Sequence, residues 1–198
     1  MDKIICVGKN YLEHAKELGD AIPEKPVLFI KPPSVLRAIT DPSSICPLPL
    51  PEHRGAVHHE CEIVLQVGKN SQIAAVSLGL DMTLRDLQRQ QKESGHPWTT
   101  SKVFPGSAIV GPFLETADFP DWEKEPFEFY LNGILRQKGA APQMTLTVHE
   151  MIPYVETYFP VCEGDLIFTG TPSGVGAVNK NDVAKLSWGP LKFQVKWT

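Results

Sequence analysis

Glu60 and Glu62 stand two positions apart in His58-His59-Glu60-Cys61-Glu62-Ile63-Val64-Leu65-Gln66-Val67. The β-formers Ile63, Val64, Leu65 and Val67, closed by Gly68, make this run a strand. Alternation then sends both carboxylates to one face. If that face is part-buried, the two charges repel and are costly to desolvate. Protonation relieves the conflict, and so does a hard cation with oxygen ligands. Asp81 follows a second apolar run, Ile73 to Leu80. If the two runs pair, three carboxylates meet at one sheet end, an open site for Mg²⁺ or Mn²⁺. The same spacing also suits a solvent-exposed strand end with two ordinary glutamates. Zinc is a poorer match, since His58 and His59 form no His-Glu-x-x-His pattern and the cysteines are unpaired.

A second set carries proton and charge chemistry. His14 and Glu17 sit at i, i+3 on a predicted helix. A carboxylate beside an imidazole orients it and raises its basicity, as a general base for water requires. A surface pair of small energetic value has the same spacing. Lys102 and Gln88 can donate to an oxyanion, and Arg85 can grip a carboxylate with two parallel bonds. The loop Thr169-Gly170-Thr171-Pro172-Ser173-Gly174-Val175-Gly176 can cradle an anion on backbone N–H groups or simply turn tightly between strands. It is not a nucleotide loop, because no Gly-Lys-Ser/Thr follows.

The elements that must position these groups read as follows. A strand over Ile4 to Val7 leads to a helix from Tyr11 to about Leu18, with Asn10 as its N-cap and Glu13 completing a capping box. Val27 to Ile30 is a strand stopped by Pro32-Pro33. Asp41 to Pro51, with four prolines, reads as an extended surface connector. Thr83 suits the N-cap of a helix reaching about Ser94. On that helix Arg85, Gln88 and Lys92 share one stripe. Phe127 to Leu131 and Ile134 to Gln137 flank Asn132-Gly133, the favoured hairpin turn. Thr147 to Tyr158 is helical around Pro153. Asp165 to Phe168, Asp182 to Leu186 and Leu191 to Lys196 supply the last strands. Strands outnumber helices and come in hairpins, which favours an α+β fold.

The 198 residues, 42% hydrophobic and 21% charged, fit one globular domain over 1–198. No apolar run is long enough to span a bilayer. Met1 to Val7 lacks the core of a signal peptide, and four scattered cysteines suit reduced thiols. The expectation is a cytoplasmic protein. A net charge of −4 without a dense Lys/Arg stripe argues against nucleic acid as a partner.

Motifs in order along nearly the whole chain resemble the fumarylacetoacetate hydrolase family. They are Val7-Gly8-Lys9-Asn10-Tyr11-x-x-His14-x-x-Glu17, Lys25-Pro26-Val27-Leu28-Phe29-Ile30-Lys31-Pro32, His58-His59-Glu60-x-Glu62, Leu80-Asp81-Met82-Thr83-x-Arg85-Asp86-x-Gln88, Gly95-x-Pro97-Trp98-Thr99-x-x-Lys102, Leu131-Asn132-Gly133, and Glu163-Gly164-Asp165-x-Ile167-x-Thr169-Gly170-Thr171-Pro172-x-Gly174-Val175-Gly176. The Leu-Asp-Met-Thr and Pro-Trp-Thr forms are similar to a compact subgroup of acylpyruvases, oxaloacetate decarboxylases and oxaloacetate keto–enol tautomerases. The resemblance implies a mixed β-roll with flanking helices, a homodimer, and Mg²⁺ or Mn²⁺ on Glu60, Glu62 and Asp81. It implies a catalytic dyad of His14 and Glu17 on a segment that orders over bound ligand, and an oxyanion-stabilising pair of Lys102 and Gln88. It implies substrate contacts from Thr171, Arg85 and Lys31. The expected substrates are small 2-oxo acids, handled through a stabilised enolate. Isomerisation or decarboxylation of aromatic-catabolic dioic acids is the alternative chemistry, and a non-catalytic metal- or acid-binding protein the alternative class.

Overall fold

The computed structural model describes residues 1–17, 25–51 and 55–198, and only the backbone of residues 14–16. Among the described residues the strands form sheets of eight, five and three. In the largest, Ile4–Gly8 lies between Val27–Lys31, antiparallel, and Leu166–Phe168, parallel. Leu166–Phe168 pairs with Cys61–Val67, which pairs with Ile73–Asp81. Ala108–Val110 and Leu36–Ala38 continue beyond it, and Leu114–Glu115 also pairs with Ile73–Asp81.

The five-stranded sheet runs Ile134–Gly139, Phe127–Leu131, Val183–Trp188, Leu191–Trp197, Ile45–Leu48. The small sheet joins Gly176–Val178, Val57–His59 and Thr83–Leu84. One apolar cluster runs from Ile5 to Trp197 and draws on all three sheets. Phe127, Phe129, Trp188, Phe193 and Trp197 are its bulkiest fully buried apolar members, each at most 1% exposed. Mixed sheets with few helices make this the expected α+β β-roll. No helix among the described residues is long and apolar enough to cross a membrane.

Local chemistry explains most element ends. Asn132 and Gly133 both adopt positive φ, 52° and 78°, as a two-residue hairpin turn matched to strand twist requires. Thr147 caps Val148–Glu156, and the Glu150 carboxylate returns to the Thr147 N–H at 3.1 Å. Three expectations need correction. The proline-rich connector contains the strand Ile45–Leu48, parallel to Leu191–Trp197; it sits at a sheet edge, where Pro47 costs no interior ladder bond. The helix expected from Thr83 begins at Arg85 and ends at Glu93, because Thr83 and Leu84 pair as strand with His58 and Val57. Asn10 does not spend its side chain as a cap. It donates to Thr169 O (2.9 Å) and Leu146 O (3.1 Å) and accepts from Leu146 N (2.7 Å). The first helix spans Leu12–Glu17, and its expected end at Leu18 lies outside the described residues.

Candidate active site

The antiparallel register sets Cys61 opposite Leu80, and Asp81 N donates to Glu60 O at 2.9 Å. Strand pairing therefore brings the three acids to one sheet end. Ligand atoms of Glu60, Glu62 and Asp81 lie within 4.8 Å of one another, and the residues are 5%, 3% and 1% exposed. Burial, then the Asp81 and Glu60 charges, push the Glu62 carboxyl well above the usual carboxylate range. The Gly170 N–H donates to Glu62 at 2.7 Å, and among the described residues no cation pairs with it directly.

Its two neighbours are neutralised by fixed cations. The Lys102 ammonium bridges Glu60 Oε2 and Asp81 Oδ2, 2.6 Å from each. Burial opposes its charge, but Asp81 and Glu60 outweigh that and raise its pKa. Arg85 pairs with Glu60 through Nη2 and donates from Nη1 to Gln88 Oε1 at 2.7 Å. Since Arg85 can only donate, the oxygen of the Gln88 amide must face it. That leaves the Gln88 NH₂ for the pocket. Because the helix begins at Arg85, Arg85, Gln88 and Lys92 fall at i, i+3 and i+7 on one face. All three line a pocket over the acids, together with Lys9, Phe29, Trp98, Lys102 and Thr171. It holds about 460 Å³ of open space, mouth included.

Lys31 departs from its expected role. It is fully buried behind Asp81 and does not line the pocket. Its ammonium donates to Ser107 O (2.5 Å) and Met82 O (3.2 Å), and lies 2.5 Å from Asp81 Oδ1. With its donors spent on the protein, it orients Asp81 instead of meeting a ligand. Thr171 lines the pocket, but its hydroxyl donates to Cys61 O (2.8 Å) and accepts from Gln137 Nε2 (2.7 Å). Its one proton is committed, so a ligand there meets an acceptor or a backbone N–H. Glu17 is exposed, and both its carboxylate oxygens accept from Gly174 N, at 2.9 and 3.1 Å. Gly174 has φ of 98°, and a Cβ there would lie 1.8 Å from Arg136 O, so this loop position needs glycine. The side chain of His14 lies outside the described residues; its backbone belongs to Leu12–Glu17.

Sequence reasoning missed several members. Gln137, 1% exposed, donates to Thr171 Oγ1 and Pro172 O and accepts from Cys61 N and His59 Nδ1. It ties the hairpin strand to both the acid-bearing strand and the glycine loop. Its interior position on a strand, among polar neighbours, was the available signal. Burial lowers the His59 pKa to about 4, so the ring is neutral. Lys9 lines the pocket in a left-handed conformation, φ 62°, where non-glycine residues are uncommon. Trp98 packs edge-on to Phe29 at 6.1 Å and carries the Lys92 ammonium 5.3 Å from a ring centroid.

The donor set fits a hard divalent cation. Three buried carboxylates converge, and the Glu62 carboxyl has no ion-pair partner among the described residues. Glu60, Glu62 and Asp81 would hold such an ion.

Comparisons with known proteins point the same way. The model of the fumarylacetoacetate hydrolase C-terminal family matches residues 3–195. The oxaloacetate tautomerase YcgM of Escherichia coli (strain K12) is 36% identical over 92% of this chain and 86% of its own length. The human mitochondrial oxaloacetate tautomerase FAHD1 is 37% identical over 90% of this chain and 83% of its own. The crystal structure of fumarylpyruvate hydrolase from Pseudomonas aeruginosa, in complex with Mn²⁺ and pyruvate, superposes with a TM-score of 0.93 at 32% identity. It covers all of this chain and 90% of that one.

Proposed function

Because the chain belongs to the fumarylacetoacetate hydrolase family, we propose that it is a Mg²⁺- or Mn²⁺-dependent enzyme acting on small 2-oxo acids, with keto–enol tautomerisation of oxaloacetate as its first reaction. The observation that carries the proposal is the convergence of Glu60, Glu62 and Asp81 within 4.8 Å, walled by Lys102, Arg85 and Gln88. A divalent cation bound there supplies Lewis-acid stabilisation of charge developing on a 2-oxo oxygen.

The chain's own residues account for the remainder. Lys102 stays cationic and donates toward the enolate oxygen, and the Gln88 amide N–H groups add a second donor. Arg85 fixes Gln88 in the donating orientation through the 2.7 Å bond. Phe29 and Trp98 narrow the pocket wall and limit water. His14, oriented by Glu17, is the base that moves the C3 proton. The same base, acting on water, gives C–C hydrolysis of an acylpyruvate. The match to fumarylpyruvate hydrolase favours that as the second reading.

The test follows oxaloacetate and acetylpyruvate in parallel, with Mg²⁺ and with EDTA. Metal-dependent loss of oxaloacetate enol without pyruvate release supports tautomerisation. Pyruvate plus acetate from acetylpyruvate supports hydrolysis. No turnover of either by Mg²⁺-saturated protein overturns the proposal.

A further inference from the structure

The cations that hold the three floor acids are of two kinds. Arg85, paired with Glu60, and Lys102, paired with Glu60 and Asp81 Oδ2, both line the pocket, so each can turn toward an anion that enters it. Lys31 has no such choice. It is fully buried, it does not line the pocket, and its ammonium lies 2.5 Å from Asp81 Oδ1. Alternation along Val27–Lys31 puts Phe29 and Lys31 on one face. Phe29 reaches the pocket lining, and Lys31, at the end of the strand, is enclosed behind Asp81.

The rest of the Lys31 environment fixes the ammonium in place. It donates to Ser107 O (2.5 Å) and to Met82 O (3.2 Å). Met82 is the residue after Asp81, and its own N–H donates to Ser107 O at 2.9 Å. Ammonium and carboxylate are thus tied to the same stretch of backbone. Asp81 could turn both oxygens to a cation on the floor only by pulling Oδ1 away from Lys31. That would leave a fully buried ammonium without its counter-charge, which is costly. With Lys31 in place, Asp81 presents Oδ2 alone. Glu62 is restrained in a similar way, since its Oε2 accepts from the backbone N–H of Gly170 at 2.7 Å.

Divalent cations differ in what they ask of a carboxylate. Mg²⁺ takes an octahedron of about six oxygens, several of them from water, and is served by single carboxylate oxygens. Ca²⁺ takes about six to eight oxygens at longer distances and gathers them with carboxylates that give both. We infer that Lys31 is a metal-selectivity residue: by holding Asp81 Oδ1 it limits that acid to one oxygen and turns the floor against Ca²⁺ in favour of Mg²⁺ or Mn²⁺. The inference rests on the metal reading in the proposed function and deepens it. Lys31 touches neither ion nor substrate and acts through Asp81 as a positioning residue.

The experiment loads native and Lys31→Met proteins with Mn²⁺ and displaces it with Mg²⁺ or with Ca²⁺, following the spin-resonance signal of the Mn²⁺ released. Methionine keeps much of the lysine stem's volume, and Ser107 O keeps its bond from Met82 N. In the native protein Mg²⁺ should displace Mn²⁺ at concentrations about tenfold below those Ca²⁺ needs. That ratio should fall to within about threefold in Lys31→Met, where Asp81 is released to give both oxygens. A ratio unchanged or raised in Lys31→Met overturns the inference, because lost packing alone weakens both ions alike. A native protein with no preference for Mg²⁺ overturns it as well. A second measurement needs no variant: the infrared difference between metal-free and Mg²⁺-loaded native protein carrying carbon-13 in its aspartate carboxyls. A wide separation of the two carboxylate stretches, the mark of one bound oxygen, supports the inference, and the narrow separation of two-oxygen binding overturns it. Failure of Mn²⁺ to bind the native protein instead overturns the metal reading beneath it.

Discussion

Lys102 holds together a floor that would otherwise repel itself. Replacing it by methionine leaves Glu60 and Asp81 without the ammonium they share at 2.6 Å. Breaking a buried pair this way costs roughly 3–5 kcal/mol. The Lys102→Met protein should therefore melt well below the native one in EDTA, and saturating Mg²⁺ should recover more of its stability than it adds to the native protein. Equal Mg²⁺ shifts in thermal melts would count against this. Glu62 behaves differently, because its carboxyl is pushed up by burial and by its neighbours' charge. It therefore keeps its proton to higher pH than an ordinary glutamate in the metal-free protein, and a cation competes with that proton. In the pH range where that carboxyl still holds its proton, Mg²⁺ binding should release protons, seen as a calorimetric enthalpy that varies with the ionisation heat of the buffer. Glu62→Gln should abolish that dependence. At this scale much was legible beforehand. Strand alternation put Glu60 and Glu62 on one face, and Asp81 joined them on the condition that its run paired with theirs, as it does. Lys31 could not: nothing in its sequence distinguishes a lysine that meets ligand from one that props a carboxylate from behind.

At the scale of elements, the site depends on three strands and a loop meeting correctly, and Gln137 is their common fastening. Its amide satisfies Cys61 N (3.0 Å), Thr171 Oγ1 (2.7 Å) and Pro172 O (2.9 Å). Gln137→Leu removes a partner from each of these groups, though Thr171 Oγ1 keeps its bond to Cys61 O, at about 1–3 kcal/mol for each group left unsatisfied. We expect a stability loss in urea unfolding and a weaker Mg²⁺ affinity, since the loop that supplies Gly170 N to Glu62 is freed. Unchanged affinity in the folded variant would separate the loop from the floor. Element existence was readable from periodicity: the strands around Asn132-Gly133 and Trp188-Gly189-Pro190 are where the pattern put them. Boundaries were not. Thr83 looks like a cap, yet its backbone is claimed by pairing with His58, a partner far away in sequence. The proline-rich stretch hid Ile45–Leu48 for the same reason, since its partner is the last strand. Local propensity loses wherever a distant strand offers ladder bonds.

For the molecule as a whole, the first strand is locked by Asp165. Its carboxylate is fully buried and accepts from Asp2 N (2.7 Å), Lys3 N (3.0 Å), Cys162 N (3.0 Å) and the Lys3 ammonium (2.9 Å). Burial pushes this carboxyl up, but the backbone N–H groups of Lys3 and Asp2 and the Lys3 ammonium outweigh it and hold the pKa low. A lowered folded pKa stabilises above the unfolded value, near about 3.9, and that contribution disappears as pH falls through the folded value. Asp165→Asn should lose about 1–3 kcal/mol at pH 7. It should also lose stability less steeply than the native protein below about pH 4. Denaturant melts across that range provide the check, and parallel acid limbs would refute it.

The pairing of residues 4–6 with 166–168 also bears on how the chain is made. Synthesis proceeds at about 5–20 residues per second, so the strand that emerges first waits roughly ten to thirty seconds for its parallel neighbour. Until then one side of an apolar strand, next to the edge strand of the largest sheet, has no partner. The Gly170 N–H that meets Glu62 arrives with that neighbour, two residues later. On the ribosome, the ability to grip a ligand and the closing of the sheet are thus one event, and a chain stalled before residue 166 exposes a bare edge that chaperones and proteases can read.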